Sequence, residues 1–278
     1  MFTKNKNEKS IVTTTMNSIS THLQTLGSLI HDFISPVQTA KIIGLVLIFK
    51  GIYGTLAPNK AAKKYGVRDD ISAINAKIVR RASLSMLNAG ISTYCLILND
   101  FGVLLPSAVN HLLWIAEALH SLLNDEADTI GPSRSLDLFM LCLSSVIFYI
   151  SVYYQTYMRL ACKIQAVVYI AMGLPIFFFP KGAIKVMKCK ETDELTPLFM
   201  NTLGVSITSI GALIAALGWG IDYVRSFGYF LVVFSVLFIK KIFFTEELYA
   251  NVKGIERNMN AYYLDLALHV CPALAILL

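Results

Sequence analysis

Eight apolar segments follow one another along this chain, each too long to be a buried strand. Strands run about 4–8 residues, whereas a helix crossing the roughly 30 Å hydrocarbon of a bilayer needs about 20. The segments are Val37 to Leu56, Ala82 to Leu98, Val103 to Leu123, Leu136 to Tyr154, Ile164 to Phe179, Pro197 to Leu217, Phe227 to Phe244 and Tyr262 to Leu278. Lipid offers the backbone no hydrogen-bond partner, which leaves only helices or closed barrels. Barrel strands alternate apolar and polar residues, and "LVVFSVLFI" does not. Composition agrees: 15% of the 278 residues are charged and mean hydropathy is +0.60, where a soluble domain carries about a quarter charged. The predicted class is all-α, a polytopic integral membrane helical bundle of about eight transmembrane helices. The third segment holds Asn110, His111, Glu117 and His120, so it also fits a re-entrant or interfacial helix.

The second constraint is repetition. "GIYGTLAPNKAAKKYG" (Gly51 to Gly66) returns as "GLPIFFFPKGAIKVMK" (Gly173 to Lys188), with Pro58 on Pro180, Ala61 on Ala183 and Lys63 on Lys185 at one constant offset. "LNAGISTYCLIL" matches "TSIGALIAALGW", and "LDL" at Leu136 to Leu138 returns at Leu264 to Leu266. The expected organisation is an N-terminal tail with a short interfacial helix (1–36) and two tandem four-helix repeats (37–158 and 159–278). An even number of spans re-enters the membrane in the same sense, so the repeats should be parallel. With these spans, sixteen of the 24 lysines and arginines fall on one side and seven on the other, with Lys50 inside the first span. The positive-inside rule puts the richer side in the cytosol, stroma or matrix of an organellar or endomembrane location.

Outside the spans, residues 1 to about 20 are rich in Ser, Thr, Asn and Lys and read as disorder. The same stretch fits a cleaved transit peptide except that it lacks arginine and carries Glu8. Leu23, Leu26, Ile30, Phe33 and Ile34 have helical spacing, as an amphipathic surface helix requires. The five cysteines are scattered and make neither a disulfide framework nor a metal-ligand spacing. A formal charge of +6 lies in loops without an aromatic-interleaved groove, which argues against nucleic acid. The expected partners are the lipid bilayer and other membrane protein subunits.

Ionisable residues at membrane depth are costly and mark function first. Glu117 and His120 share a helical face, with His111 about two turns before His120; Asp265 and His269 stand four apart in the last span. These five form the candidate intramembrane polar site, suited to a proton or a polar ligand and too few in carboxylates for a di-iron bundle. The alternative is that Glu117 and His120 are simply wet at an interface. Asp137 and Asp265, in matching "LDL" copies near span starts, suit the positive end of a helix dipole. Asn88 and Asn201 are candidate interhelical donors. Pro58 and Pro180 end spans, and the lysines that follow (Lys60, Lys63, Lys64, Lys181, Lys185, Lys188) are expected to anchor lipid headgroups. Only Gly173 to Pro175 offers a helix break. No phosphate loop, zinc-protease motif or nucleophile elbow is present, so no cofactor and no catalytic residue is assigned.

Gly51, Pro58, Ala61, Tyr65, Gly66, Ala89 and Gly90, echoed by Gly173, Pro180, Ala183 and Gly211, resemble the DoxX-like family of four-helix membrane proteins. The chain departs from that family in length, as two fused units would. The resemblance implies accessory roles in membrane complexes or quinone-related redox work, and transfers no catalytic set. Three functions follow: a structural or accessory component of a membrane assembly, first; a transporter of a small solute; and a membrane-embedded oxidoreductase or lipid-modifying enzyme. The sequence leans away from an enzyme.

Overall fold

Ser35 opens the first long helix by a reciprocal cap. Its hydroxyl accepts from the Gln38 N–H at 3.2 Å, while its own N–H donates to Gln38 Oε1 at 3.3 Å, and Pro36 fills the first helical position. The computed structural model describes residues 35–99, 104–124, 126, 130–131, 133–244, 252 and 255–278. The expected tail and surface helix before residue 35 lie outside the described residues.

The described chain is all-α. Its helices are α1 (Pro36–Leu56), α2 (Pro58–Lys64), α3 (Ala73–Asn99), α4 (Leu104–Leu123), α5 (Arg134–Tyr153), α6 (Met158–Phe178), α7 (Pro180–Val186), α8 (Thr196–Gly218), α9 (Tyr223–Phe244) and α10 (Met259–Leu277). Among the described residues, each predicted segment lies on one long helix to within a residue at its end. Five of these, α1, α6, α8, α9 and α10, are long and apolar enough to cross a membrane.

Where the apolar residues point identifies the solvent. On α1, Ala40, Ile43, Gly44, Leu47, Gly51 and Gly54 are buried, while Ile42, Leu45, Phe49, Ile52 and Leu56 form an exposed stripe. Phe49 is 70% and Leu56 79% exposed. A helix in water puts polar residues on its outer face; apolar residues all round belong in lipid. The chain is therefore an integral membrane protein of helical type. α8 is the central helix, with 72% of its most apolar stretch buried, and it packs against α6, α9 and α3.

Lipid tails are as apolar as leucine, so helices associate through close backbone approach and hydrogen bonds. At Gly90 an added Cβ would sit 2.6 Å from the Gly44 carbonyl oxygen and 2.7 Å from the Ile48 nitrogen, holding α3 on α1. Gly204 does the same for α8 on α6, where a Cβ would lie 2.8 Å from Phe177 Cα. Asn201 adds the expected interhelical bond, donating to the Phe177 carbonyl at 2.7 Å. That carbonyl lies in the last turn of α6, where carbonyls lack intrahelical donors.

Two expectations are corrected. α6 runs unbroken through Gly173 and Pro175 to Phe178. Pro175 sits in its last turn, and the chain breaks only at Phe179, just before Pro180. α3 begins at Ala73, nine residues before the expected Ala82, and so carries Lys77, Arg80 and Arg81 on its first turns. Those charges are tolerated in a helix because carboxylates from α4, α5 and Glu126 meet them.

Candidate functional site

A cavity of about 170 Å³ lies where α1, α2, α3, α8, α9 and α10 converge, at the end of the bundle that carries α2. Its walls are largely apolar, with Met86, Leu198, Phe199, Phe234 and Phe238 among them, and its polar groups are few: Lys50, Tyr65, Thr202, Lys241 and Asp265 stand out. Apolar walls with a small convergent polar set are the usual make-up of a small-molecule site.

Asp265 organises the polar wall. It is 2% exposed, accepts from Lys50 Nζ at 2.9 Å, and accepts from the Tyr65 hydroxyl on its other oxygen. Burial first, and the adjacent Asp265 carboxylate second, push the Tyr65 phenol well above its usual range, so it stays a donor. Across the cavity Lys241 donates to the Thr202 hydroxyl. His269 stands one turn beyond Asp265; its Nδ1 meets the Asp265 carbonyl oxygen at 2.6 Å, and its ring stacks on Phe234 with centroids 4.0 Å apart.

The rim is tied by backbone. Gly66 adopts a φ of +101°, and its carbonyl accepts from the Glu256 N–H at 2.8 Å. Val67 bridges Ile255, and Asn258 Nδ2 donates to the Lys64 carbonyl at 3.1 Å. A side chain at residue 66 would collide with the Glu256 backbone, so glycine is required there by both torsion and space.

A second polar network fills the space among α3, α4 and α5. Arg81 donates to both Glu117 oxygens at 3.0 and 3.3 Å and to Asp137 at 2.7 Å. Ser121 donates to Asp137 at 2.5 Å and receives a bond from Lys77 Nζ, also 2.5 Å. Arg80 pairs with Glu126 at 2.9 Å. Mutual neutralisation makes these buried charges tolerable.

The five expected site residues therefore do not form one site. Glu117 belongs to the Arg81 network. His120 is at its exposed edge, 3.8 Å from Glu126. His111 is buried elsewhere, beside Gln165; Asp265 borders the cavity, and His269 stands behind it against Phe234. Helical spacing put Glu117 and His120 on one face, but which neighbours meet that face depends on α3 and α5. Asp137 occupies the first turn of α5 as expected, whereas Asp265 lies beyond the first turn of α10 and is held by Lys50 and Tyr65 instead of a dipole. Lys50 was legible as a charge within an apolar run, which demands a counter-charge; its partner, 215 positions away, was not. The lysines on α2 and α7 (Lys60, Lys63, Lys64, Lys181, Lys185) and Lys188 are exposed. Among the described residues no group of three or more His, Cys, Asp or Glu is arranged to hold a metal ion.

No family model matches this chain, and neither a curated protein nor a solved structure matches it.

Proposed function

We propose that this is a transporter-like membrane protein of two tandem, parallel four-helix units that holds a small amphipathic ligand at their junction. The observation that carries the reading is the cavity of about 170 Å³, walled by α1 to α3 and by α8 to α10, where Lys50 of the first unit pairs with Asp265 of the second. A dry cavity of about 150 Å³ accommodates benzene, so this one suits a body of similar size with a polar head.

Several features support the doubling. A 21-residue helix, a seven-residue helix begun by proline and three long helices follow in that order twice. The two junctions share backbone torsions, with φ −133°, ψ 60° at Ala57 and φ −129°, ψ 57° at Phe179. Gly51 faces Leu87, and Gly173 faces Thr208, the corresponding pair. All eight long helices then span, as a doubled DoxX-like unit would. The units differ where it matters. Arg81 and Asp137 correspond in sequence to Thr202 and Asp265, and in the first unit the space is closed by ion pairs. In the second, the smaller Thr202 leaves room for a ligand.

A ligand's head would meet Lys50, Lys241 and Tyr65, and its aliphatic body would lie against Met86, Phe199 and Phe238. The exposed lysines of α2 and α7 support a position of the cavity end at the headgroups of the basic side, which would give an amphipathic ligand a route in from the interface. Nothing in the geometry favours an accessory role over this one, since the exposed apolar faces are covered by lipid either way.

The test is photolabelling of the protein in nanodiscs with a medium-chain fatty acid bearing a diazirine. Labels on Met86, Phe199 and Phe238 that excess octanoate removes support the reading. Labels confined to the outer stripe of Phe49, Ile52 and Leu56 would show only lipid exposure and end it.

A further inference from the structure

We infer that a small cavity bordered by α3, α4, α6 and α8, apart from the ligand cavity, is a hydration site holding one or two water molecules in the apolar interior. Its volume is about 30 Å³. One side is apolar, formed by α8 with Leu213 and Ile214; the other carries Asn88, Asn110 and Gln165 from three different helices. These three side chains are 2%, 7% and 1% exposed. Asn88 Oδ1 and Nδ2, Asn110 Oδ1 and Gln165 Nε2 have no hydrogen-bond partner among the described residues.

Buried polar groups in folded proteins are almost always paired, because an orphan forfeits its bonds to water and gains nothing in return. Four such atoms lining one cavity mark an occupied space. Size narrows the occupant: a water needs about 10–15 Å³ on this scale, so one or two waters fit and an organic solute does not. Chemistry narrows it further. The orphans include amide nitrogens as well as oxygens, and the described lining residues include no carboxylate. A cation seeks oxygens and negative charge, whereas water donates to Asn88 Oδ1 and Asn110 Oδ1 while accepting from Asn88 Nδ2 and Gln165 Nε2. Asn201 on α8 offers a contrast: its amide nitrogen has the Phe177 carbonyl as a direct partner. Bridging water is nearly as favourable as a direct bond and can exchange partners, so it ties α3 and α4 to α6 without locking them.

Pulsed X-ray hydroxyl-radical labelling of the protein in nanodiscs tests this, because radicals form on bound water itself. Leu213, beside the cavity, should be oxidised several-fold faster than Leu47 and Leu231, which are equally buried but away from it. Asn88→Leu should bring Leu213 down to the rate of the other two, and Asn88→Ser, polar and smaller, should keep it fast. Equal rates for the three leucines in the wild-type protein would show a dry cavity and overturn the inference, whether or not the variants fold. A thermal midpoint raised in sodium chloride over choline chloride at equal ionic strength, with the difference lost in Asn88→Ser, would reveal a cation site and overturn it too.

Discussion

Replacing Lys50 by methionine should destabilise this protein more than replacing Asp265 by asparagine, although both changes break the same ion pair. The pair is 2.9 Å long, and its side chains are unequally placed: Lys50 is 24% exposed and Asp265 3%. Removing one partner of a buried pair costs about 3–5 kcal/mol, because the remaining charge is stranded. Lys50→Met strands a buried carboxylate whose remaining hydrogen bond comes from the Tyr65 hydroxyl, so the cost should be about 3–4 kcal/mol. Asp265→Asn strands an ammonium whose long stem can reach headgroups, and the new amide oxygen still accepts from Tyr65. The estimate falls to about 1–2 kcal/mol. Lys50→Met combined with Asp265→Asn removes both charges, keeps an amide oxygen to accept from Tyr65, and should lie within about 2 kcal/mol of the wild type. Reversible unfolding in bicelles, read by steric trapping, measures all four corners of the cycle. An asparagine variant as unstable as the methionine variant, or strictly additive single changes, would show that Asp265 is not held by Lys50 and would refute the reasoning.

Further outcomes follow from other contacts. Arg81→Met should cost about 3–5 kcal/mol by the same unfolding assay, since it leaves Glu117 and Asp137 with fewer donors in a buried network. Gly90→Ala should cost about 1–3 kcal/mol, because the new methyl meets the Gly44 and Ile48 backbone and not a flexible side-chain tip. Asp193 predicts an acid limit. Burial pushes its carboxyl up, but hydrogen bonds from Asn75, Thr196 and the Leu195 N–H outweigh this and hold it below the usual range. A depressed folded value means the stabilisation is complete above the unfolded value of about 3.9 and is lost as pH falls through the folded one. The thermal midpoint should therefore fall below about pH 4, and Asp193→Asn should flatten that fall.

The sequence by itself determined the class of fold and, the start of α3 apart, where the described long helices lie. Apolar length and the intolerance of lipid for open backbone allow one answer, and both can be read from consecutive residues. Proline placed the breaks at Ala57 and Phe179 for an equally local reason, a missing N–H. Tertiary structure alone decided which charges meet. Lys77, Arg80 and Arg81 looked like loop charges until α4 and α5 brought Glu117 and Asp137 against them, and Lys50 found Asp265 from the other end of the chain. Asn88 and Asn201 read alike in sequence, yet one faces a cavity and the other a carbonyl. Pairing energy falls steeply with distance and depends on burial, and neither is written in the local order of residues.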